Sequence, residues 1–302
     1  MKTILLTGAT GFLGSHLLRA IINEGCYNVV VLKRSFSNVY RIKDLLLNPS
    51  VAFFDIDKIS IEEVFKQNTI DVIVHTANEY GRDKHSCKKV LETNLIFPID
   101  LLDNAVEYNV EAFINTDSYF NKENLSYSFL ATYSLSKKSL LLWLNAFSKK
   151  IKIVNVVLEH IYGRNDNPDK FVEKMIRDIA INNKAKVDLT PGEQQRDFIY
   201  ADDVADAYLK VVSYSLNNCF RFKSFDLGTA KTTRIKDFVG LIKTISNSNS
   251  ELDFTAIPYR NDEIMYSCAD IVDLMSIGWE PKTSINEGIR NIIDEYRGAN
   301  TL

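Results

Sequence analysis

Two groups of residues in this chain have the types and spacing to do chemistry. In Tyr133-Ser-Leu-Ser-Lys137 a phenol and an ammonium stand four residues apart, on one face of a strongly helical segment. A nearby ammonium favours the phenolate and is expected to pull the phenol pKa down from about 10. Tyr133 could then pass a proton to or from a carbonyl oxygen while hydride moves at the carbon. Upstream, Thr116-Asp117-Ser118 ends the apolar run Ala112-Phe113-Ile114 with hydroxyl, carboxylate, hydroxyl. Strand alternation puts Thr116 and Ser118 on the same side. Such a trio either caps the next turn or gathers around a ligand. The pattern Y-x-x-x-K recurs by chance, and its position after a strand ending in Thr116 is what gives it weight.

A third group lies at the start of the chain. T-G-A-T-G-F-L-G, residues 7–14, follows an apolar strand and opens a helix near Phe12. Gly8, Gly11 and Gly14 let the backbone turn tightly and approach a pyrophosphate, which would rest on the helix N-terminus beside Thr10, Phe12 and Leu13. About 20 residues further on, NAD-binding chains usually carry an acid for the ribose hydroxyls. Here Lys33-Arg34-Ser35 stands instead. Two cations and a hydroxyl suit a 2′-phosphate, so NADP(H) is the expected dinucleotide, with NAD(H) still possible. Asp55-Ile56 is placed to meet the adenine, although a turn-capping Asp would look the same.

These groups need a frame. Short β-branched runs at Thr3–Thr7, Asn28–Lys33, Val51–Asp55, Asp71–Thr76, Ala112–Asn115 and Lys152–Leu158 alternate with helical patterns. Continuously apolar strands such as V-V-V-L indicate a sheet covered on both faces. The expected fold is therefore α/β, a Rossmann-type doubly wound parallel sheet with a smaller C-terminal substrate-binding lobe. Residues 1–160 with 196–228 form the expected dinucleotide domain, Arg196–Tyr214 and Phe225–Gly228 returning to it. Residues 161–195 with 229–302 form the lobe, where Pro168, Pro191, Pro258 and Pro281 fall. Its last helix carries a capping-box signature, Ser284-Ile-Asn-Glu287.

Bulk properties narrow the partners. The 302 residues are 46% hydrophobic with net charge −3, an ordinary globular balance without the basic excess that nucleic acid requires. Cys26, Cys87, Cys219 and Cys268 lie far apart, as expected of reduced thiols in a cytoplasmic protein. His16, His75 and His85 show no metal-ligand spacing, so no metal is expected. Glycines and His16 interrupt the opening M-K-T-I-L-L before a secretory leader could form, and no run approaches the roughly 20 apolar residues of a membrane span.

T-G-A-T-G-F-L-G, Y-S-L-S-K, R-D-F-I-Y-A-D-D-V-A and the closing G-W-E-P-K-T-S together resemble the extended short-chain dehydrogenase/reductase family, over essentially the whole chain. The resemblance implies enzymes that remodel nucleotide sugars, and it assigns Thr116 as the hydroxyl that meets the substrate oxygen, with Ser118 assisting or substituting. It adds Thr76, Ala77 and Asn94 to the cofactor site beside Tyr133 and Lys137. In 4,6-dehydratases of this family a Thr-Asp-Glu trio occupies the corresponding place. Asp helps expel a hydroxyl as water, and Glu removes a carbon-bound proton. Here Asp117 is kept, but Ser118 replaces the glutamate. A serine without a base beside it cannot take that proton at neutral pH. Elimination is disfavoured, and carbonyl reduction with Tyr133 as proton donor is the expected chemistry.

T-A-N-E-Y-G (76–81), F-I-N-T-D-S-Y-F, L-E-H-I-Y-G, G-E-Q-Q-R-D-F-I-Y and R-N-D-E-I-M-Y-S resemble a narrower branch. Its members reduce the 4-keto group of nucleotide-linked 4-keto-6-deoxyhexoses, carried on CDP or dTDP, to make deoxysugars for surface polysaccharides such as O-antigen. By that resemblance Arg196 and Arg260 face the substrate diphosphate, a task suited to arginine's bidentate fork, unless each merely pairs with a neighbouring acid. Phe171, Lys174 and Val187 fall where relatives hold the nucleotide base. His160 falls where the wider family often has an Asn near the nicotinamide or the sugar. Glu79 and Arg82 follow the fourth strand, at the edge where such sheets bind ligands, and Asn165-Asp166-Asn167-Pro168 departs from the glycine-rich loop of relatives.

Leu140-Leu-Leu-Trp-Leu144 makes the Tyr133 helix apolar around most of its circumference, so it must bury more than one face. A homodimer through that helix is expected, as is common among relatives. Two other functions fit the motifs less well. A nucleotide-sugar 4-epimerase would use the same residues with a retained NAD+. A non-catalytic dinucleotide-binding regulator would usually have lost the tyrosine or the lysine.

Overall fold

The computed structural model describes residues 1–81, 86–122 and 130–299. Seven parallel strands form one sheet: β1 (Lys2–Thr7), β2 (Tyr27–Lys33), β3 (Val51–Asp55), β4 (Val72–His75), β5 (Ala112–Ser118), β6 (Lys152–Leu158) and β10 (Phe222–Leu227). Their order is β10-β6-β5-β4-β1-β2-β3. The chain starts in the middle, winds out to β3, then returns and winds out the other way. Ligands bind such sheets at the reversal point, at the carboxyl ends of the strands. All three chemical groups of the sequence sit at that edge.

Alternation along each strand sends side chains to two separate cores. One core holds Ile4, Val29, Ile114 and Val154 against α1 (Phe12–Glu24) and against Tyr208 and Val211 of a later helix. The other holds Leu5, Val30, Phe113 and Ile153 against α2 (Ile61–Gln67), α4 (Phe97–Glu107) and α5 (Ala131–Phe147). Local signals set the helix ends. Gly25 closes α1 in the left-handed region at φ 70°, and the Ser60 hydroxyl accepts the Glu63 amide at 3.2 Å to open α2. Between the short α3 (Cys87–Leu91) and α4 the helix widens into a π turn over Glu92–Ile96.

Beyond β6 the chain forms β7 (His160–Tyr162), α6 (Phe171–Met175), β8 (Lys186–Asp188), β9 (Gln195–Tyr200) and α7 (Ala201–Asn217). After β10 come β11 (Thr232–Arg234), α8 (Ile235–Ser246), β12 (Glu251–Asp253), α9 (Val272–Ser276) and α10 (Ile285–Ala299). Strands β11, β9 and β7 make a three-stranded sheet, and β12 pairs with β8. A third core of Val172, Ile176, Phe198, Phe238, Ile289 and Ile293 joins these pieces. Helix α7 and strand β10 return to the large sheet, whereas β9, including Arg196 itself, stays in the small one. At α10 the Ser284 hydroxyl accepts the Glu287 amide at 3.3 Å, the cap that the sequence spells.

Candidate active site

The glycine turn leaves no room for side chains. Gly8 has φ +74°, and a Cβ there would lie 2.7 Å from the Ala77 amide nitrogen and the Thr76 hydroxyl. A Cβ on Gly14 would lie 2.1 Å from the Gly8 carbonyl oxygen. The Gly11 amide donates to that same carbonyl at 2.8 Å, closing the turn. Thr76 and Ala77 are held in place by Thr7, whose carbonyl accepts the Thr76 hydroxyl at 2.7 Å. Helix α1 then begins at Phe12 with no acid in its first turn, so the amides around Thr10, Phe12, Leu13 and Gly14 face a space suited to an anion. The cradle fits a dinucleotide pyrophosphate. Arg41, which the sequence did not single out, donates to the Thr10 carbonyl at 3.4 Å and to the Asn165 carbonyl at 2.8 Å, placing a guanidinium beside the turn.

At the ribose end the expected cations are not equivalent. Lys33 is ion-paired with Asp55, and holds that carboxyl below its usual range. The Ser35 hydroxyl and amide both donate to Asp57, at 2.5 and 2.6 Å. Arg34 is exposed, its guanidinium 5.1 Å from the Phe36 ring centroid. Ile56 is half-buried against the α2 core, its amide donating to the Lys33 carbonyl at 2.9 Å. Lys33 therefore meets a carboxylate before it meets any phosphate, and Arg34 is the more available of the two.

Tyr133 and Lys137 face the sheet from α5, 4% exposed each. Lys137 donates to the Thr116 carbonyl at 2.8 Å. The expectation that the ammonium lowers the phenol pKa needs correction. Burial pushes Tyr133 well above its ordinary value, and the Tyr80 phenol and the Asp117 carboxyl push the same way, while Ser118 and Asn78 pull it down. The lysine's proton is directed at a backbone oxygen, and the phenol is held neutral. Burial lowers Lys137 to about 8, against the pull of Asp117.

The trio on β5 divides. Thr116, expected as the substrate hydroxyl, lies with its Oγ1 2.6 Å from the Tyr208 phenol of α7. Its parity is that of Ile114, toward the α1 and α7 core rather than toward α5. Ser118 is the hydroxyl of the trio beside the Tyr133 phenol, and its oxygen accepts the Phe120 amide at 3.4 Å. Asp117, expected at the substrate, is 4% exposed and turned away. It accepts from Asn121 at 2.8 Å, from Asn155 at 3.1 Å and from the Ser118 amide at 2.8 Å. The residue that caps the following turn and the hydroxyl beside the Tyr133 phenol are thus the same one, Ser118.

The loop after β4 contributes two groups that the sequence reading passed over, Asn78 and Tyr80. The Tyr80 ring stacks on Tyr133 with centroids 5.0 Å apart. Both lie in the stretch T-A-N-E-Y-G, so a signal for them existed. Tyr208 gave none, being 92 residues from its partner Thr116. Asn94, expected at the cofactor, is fully buried, with its amide spent on protein groups. It accepts the Glu79 amide at 2.7 Å and donates to the Glu79 carbonyl at 2.8 Å and to Ser136 at 3.0 Å. The π turn delivers this side chain, which fixes the Glu79 loop to the Tyr133 helix. The Glu79 carboxylate accepts the Gly81 amide at 3.1 Å. Arg82 and His85 lie outside the described residues.

On the lobe side, the imidazole of His160 is lowered to about 3 by burial, with the Arg196 and Lys170 charges acting the same way. It is neutral, with Nδ1 lacking a hydrogen-bond partner. Arg196 is 5% exposed and its guanidinium reaches Glu263 at 2.8 Å, so the neighbouring-acid alternative describes its present contacts. Arg260 and Lys174 are exposed, and Phe171 is half-buried at the start of α6. The Val187 side chain belongs to the third core, 5% exposed, so only its backbone is available to a base. Lys170 sits 5.2 Å from the Phe12 ring and 5.9 Å from the Tyr80 ring, joining the lobe to both halves of the site. Among the described residues no cluster of His, Cys, Asp or Glu is arranged to hold a metal ion, and no helix is long and apolar enough to cross a membrane.

A central sheet of this order, a glycine cradle and a buried Tyr-Lys pair at its edge are the features of a Rossmann-type α/β fold with its polar groups gathered at the ligand edge. The chain belongs to the NAD dependent epimerase/dehydratase family, whose profile matches residues 4–218. It is 32% identical over 296 residues to CDP-abequose synthase of Salmonella muenchen, covering 97% of each chain. In fold it is similar to the UDP-glucose 4-epimerase of Thermotoga maritima, with TM-score 0.83, 24% identity and 99% of each chain covered. It is also similar to dTDP-glucose 4,6-dehydratase from Bacillus anthracis, with TM-score 0.83, 19% identity and coverage of 100% of this chain and 98% of the other. The chain is an enzyme of nucleotide-sugar modification.

Proposed function

We propose that this protein is an NADPH-dependent 4-ketoreductase acting on a nucleotide-linked 4-keto-6-deoxyhexose. One observation carries the reading. The residue at the Tyr133 phenol is a serine, and the only carboxylate of the trio is bound to Asn121 and Asn155. Abstraction of a carbon-bound proton needs a base at that place, and a hydroxyl is not one. The match to CDP-abequose synthase over nearly the full length points to the same branch.

When bound, the reduced nicotinamide would supply the hydride. The chain supplies the rest. Gly8, Gly11, Gly14 and the first amides of α1 would hold the pyrophosphate, with Arg34 for a 2′-phosphate; NAD(H) would bind more weakly. Tyr133, kept neutral by burial, gives its proton to the carbonyl oxygen as that oxygen gains charge. Ser118 donates to the same oxygen or aligns the phenol, and Thr116 braces the strand through Tyr208. Residues 161–195 with 229–302 would hold the nucleotide sugar, Arg196 and Arg260 meeting its diphosphate after Glu263 yields, and the Nδ1 of His160 meeting a sugar hydroxyl. Phe171, Lys174 and the Val187 backbone would frame the base, CDP or dTDP. Helix α5 leaves Leu135, Leu142 and Trp143 exposed near Leu91 and Ile96, a face suited to a homodimer.

The test is direct. Purified protein is incubated with CDP- and dTDP-4-keto-6-deoxyglucose, NADPH absorbance is followed, and the product's C4 configuration is determined. NADPH loss only with a keto-sugar supports a reductase. Protein that carries tightly bound NAD+ and interconverts C4 epimers without added cofactor is an epimerase, and the present reading falls.

A further inference from the structure

The segment after β2 carries a cation that the chemistry above leaves unused. Arg41 lies on the short helical turn Tyr40–Leu45, which is fixed from two sides. The Ile42 side chain is buried in the core that also holds α1. Arg19 of α1 donates to both carboxylate oxygens of Asp44, at 2.5 and 2.7 Å, and to the Arg41 carbonyl at 2.7 Å. From this base the Arg41 guanidinium reaches the glycine turn. Its Nη1 donates to the Thr10 carbonyl at 3.4 Å and its Nε to the Asn165 carbonyl at 2.8 Å. The guanidinium carbon stands 4.5 Å from the Tyr40 ring centroid, so the fork is supported on one face.

Two features set this cation apart. Several cations at this edge are matched by carboxylates: Lys33 by Asp55, Lys170 by Asp166 and Arg196 by Glu263. Arg41 meets carbonyl groups instead, and among the described residues its Nη2 makes no hydrogen bond and no carboxylate pairs with it. The second feature is the helix beside it. Helix α1 has no acid of its own in the first turn, where α2 carries Glu62 and Glu63 and α7 carries Asp202 and Asp203. A helix N-terminus has positive potential, and a guanidinium held beside it is repelled unless an anion stands between them. Both positive groups converge on the turn that Gly8, Gly11 and Gly14 keep clear of side chains.

We infer that Arg41 is a further dinucleotide-binding residue, whose Nη2 edge takes a phosphate oxygen of the bound dinucleotide opposite the amides of the glycine turn. The inference rests on the reading of that turn as the dinucleotide cradle. A planar fork suits phosphate, and one already braced by Arg19, Tyr40 and the Thr10 carbonyl loses little freedom on binding. The dinucleotide offers two sources of that oxygen, the pyrophosphate and, in NADPH, the 2′-phosphate. Arg41 acts beside Arg34, not in its place.

The affinity of the full-length protein for NADPH and for NADH, read from dinucleotide fluorescence without any sugar, tests this in Arg41→Lys, Arg41→Gln and Arg41→Met. Expected is an NADPH Kd raised about tenfold in Arg41→Gln and Arg41→Met and less than about threefold in Arg41→Lys, as loss of a charge-assisted hydrogen bond implies. An equal loss for NADH assigns the guanidinium to the pyrophosphate, and an unchanged NADH Kd assigns it to the 2′-phosphate. The gap between wild type and Arg41→Met should narrow as salt screens the contact. A gap that salt leaves constant would mark a loosened turn and overturn the inference. An NADPH Kd unchanged in Arg41→Met would overturn it too, as would an Arg41→Gln protein that binds like wild type, because bracing two carbonyls needs hydrogen bonds and no charge. If the Kd changes appear but no keto-sugar is ever reduced, the ketoreductase reading falls and Arg41 keeps its role. If wild type binds neither dinucleotide, both fall.

Discussion

The glycine turn after β1 and the end of β5 lie at the same edge of one sheet and are built in opposite ways. At the turn the backbone makes the proposed binding surface, and what matters is side chains that are missing: a single methyl on Gly14 would stand 2.1 Å from a carbonyl oxygen. At the end of β5 the side chains do everything, and each points where a distant partner takes it. Thr116 goes to Tyr208, Asp117 to Asn155 and Asn121, Ser118 to Tyr133. A backbone site is written in a few consecutive residues. A side-chain site depends on neighbours 38 and 92 residues away, and it tolerates retuning that a glycine turn does not.

The largest effect belongs to the side-chain site. Tyr133→Phe removes the proton donor and little else, because the ring keeps its stacking on Tyr80. Turnover with a keto-sugar should fall by roughly 10²–10⁴, with dinucleotide affinity kept within a fewfold by fluorescence titration. Turnover that persists would remove Tyr133 from the proton-transfer role. At the backbone site, Gly14→Ala should act the other way round: affinity for the dinucleotide falls by roughly tenfold to a hundredfold, the range that overpacking of a few kcal/mol implies, and what binds still turns over.

A pairwise comparison within the trio comes next in size. Ser118→Ala should lower kcat roughly ten- to thirtyfold, as loss of one hydrogen bond at the reacting oxygen implies, with cofactor binding intact. Thr116→Val keeps the β-branched shape and removes only the contact to Tyr208. It should cost kcat less than threefold and show mainly as a lower Tm. Equal losses, or a larger one at Thr116, would hand the substrate oxygen back to Thr116.

Much of the frame was legible in the sequence, for stated reasons. Val51–Asp55 is apolar up to its closing Asp, Lys152–Leu158 is rich in Val and Ile, and both are strands with those bounds. β5 runs on to Ser118 although the apolar pattern stops at Ile114, because register with β6 continues from Ile114↔Val154 to Ser118↔Leu158. Pairing with a partner strand overrode local polarity. The site was legible as a set of residues and illegible as directions. Alternation placed Thr116 and Ser118 together, but alternation is a property of strand interiors, and Ser118 is the last residue of its strand. Family resemblance puts Asn94 at the cofactor site; a π turn, which no residue pattern announces, turns its side chain to brace the Glu79 loop. Arg196 was expected to face a diphosphate, and its alternative, a neighbouring acid, was Glu263, 67 residues on.

The smallest effect concerns the ribose end, where both building styles meet. Lys33 and Arg34 are adjacent and equally charged, so nothing in their types or order separates them. The structure does: Lys33 is 15% exposed and paired with Asp55, whereas Arg34 is exposed beside Phe36. A 2′-phosphate approaching Lys33 would first meet the repulsion of Asp55, and a paired cation offers less net potential than one whose charge faces solvent. Arg34→Ala should therefore raise the KM for NADPH about tenfold and leave that for NADH unchanged, since a charge-assisted contact to phosphate is lost and nothing else. Lys33→Ala should change the NADPH KM less than threefold, because the lysine's charge is already matched by Asp55, which would keep only its weaker pairing with Lys58 at 3.2 Å and so be freer to accept from the ribose hydroxyls that NADH presents. The same variant should lower the KM for NADH. If Lys33→Ala instead proved the more damaging to NADPH, the ion pair with Asp55 would have to open on binding, and the preference would reside in the residue that the fold pairs with a carboxylate.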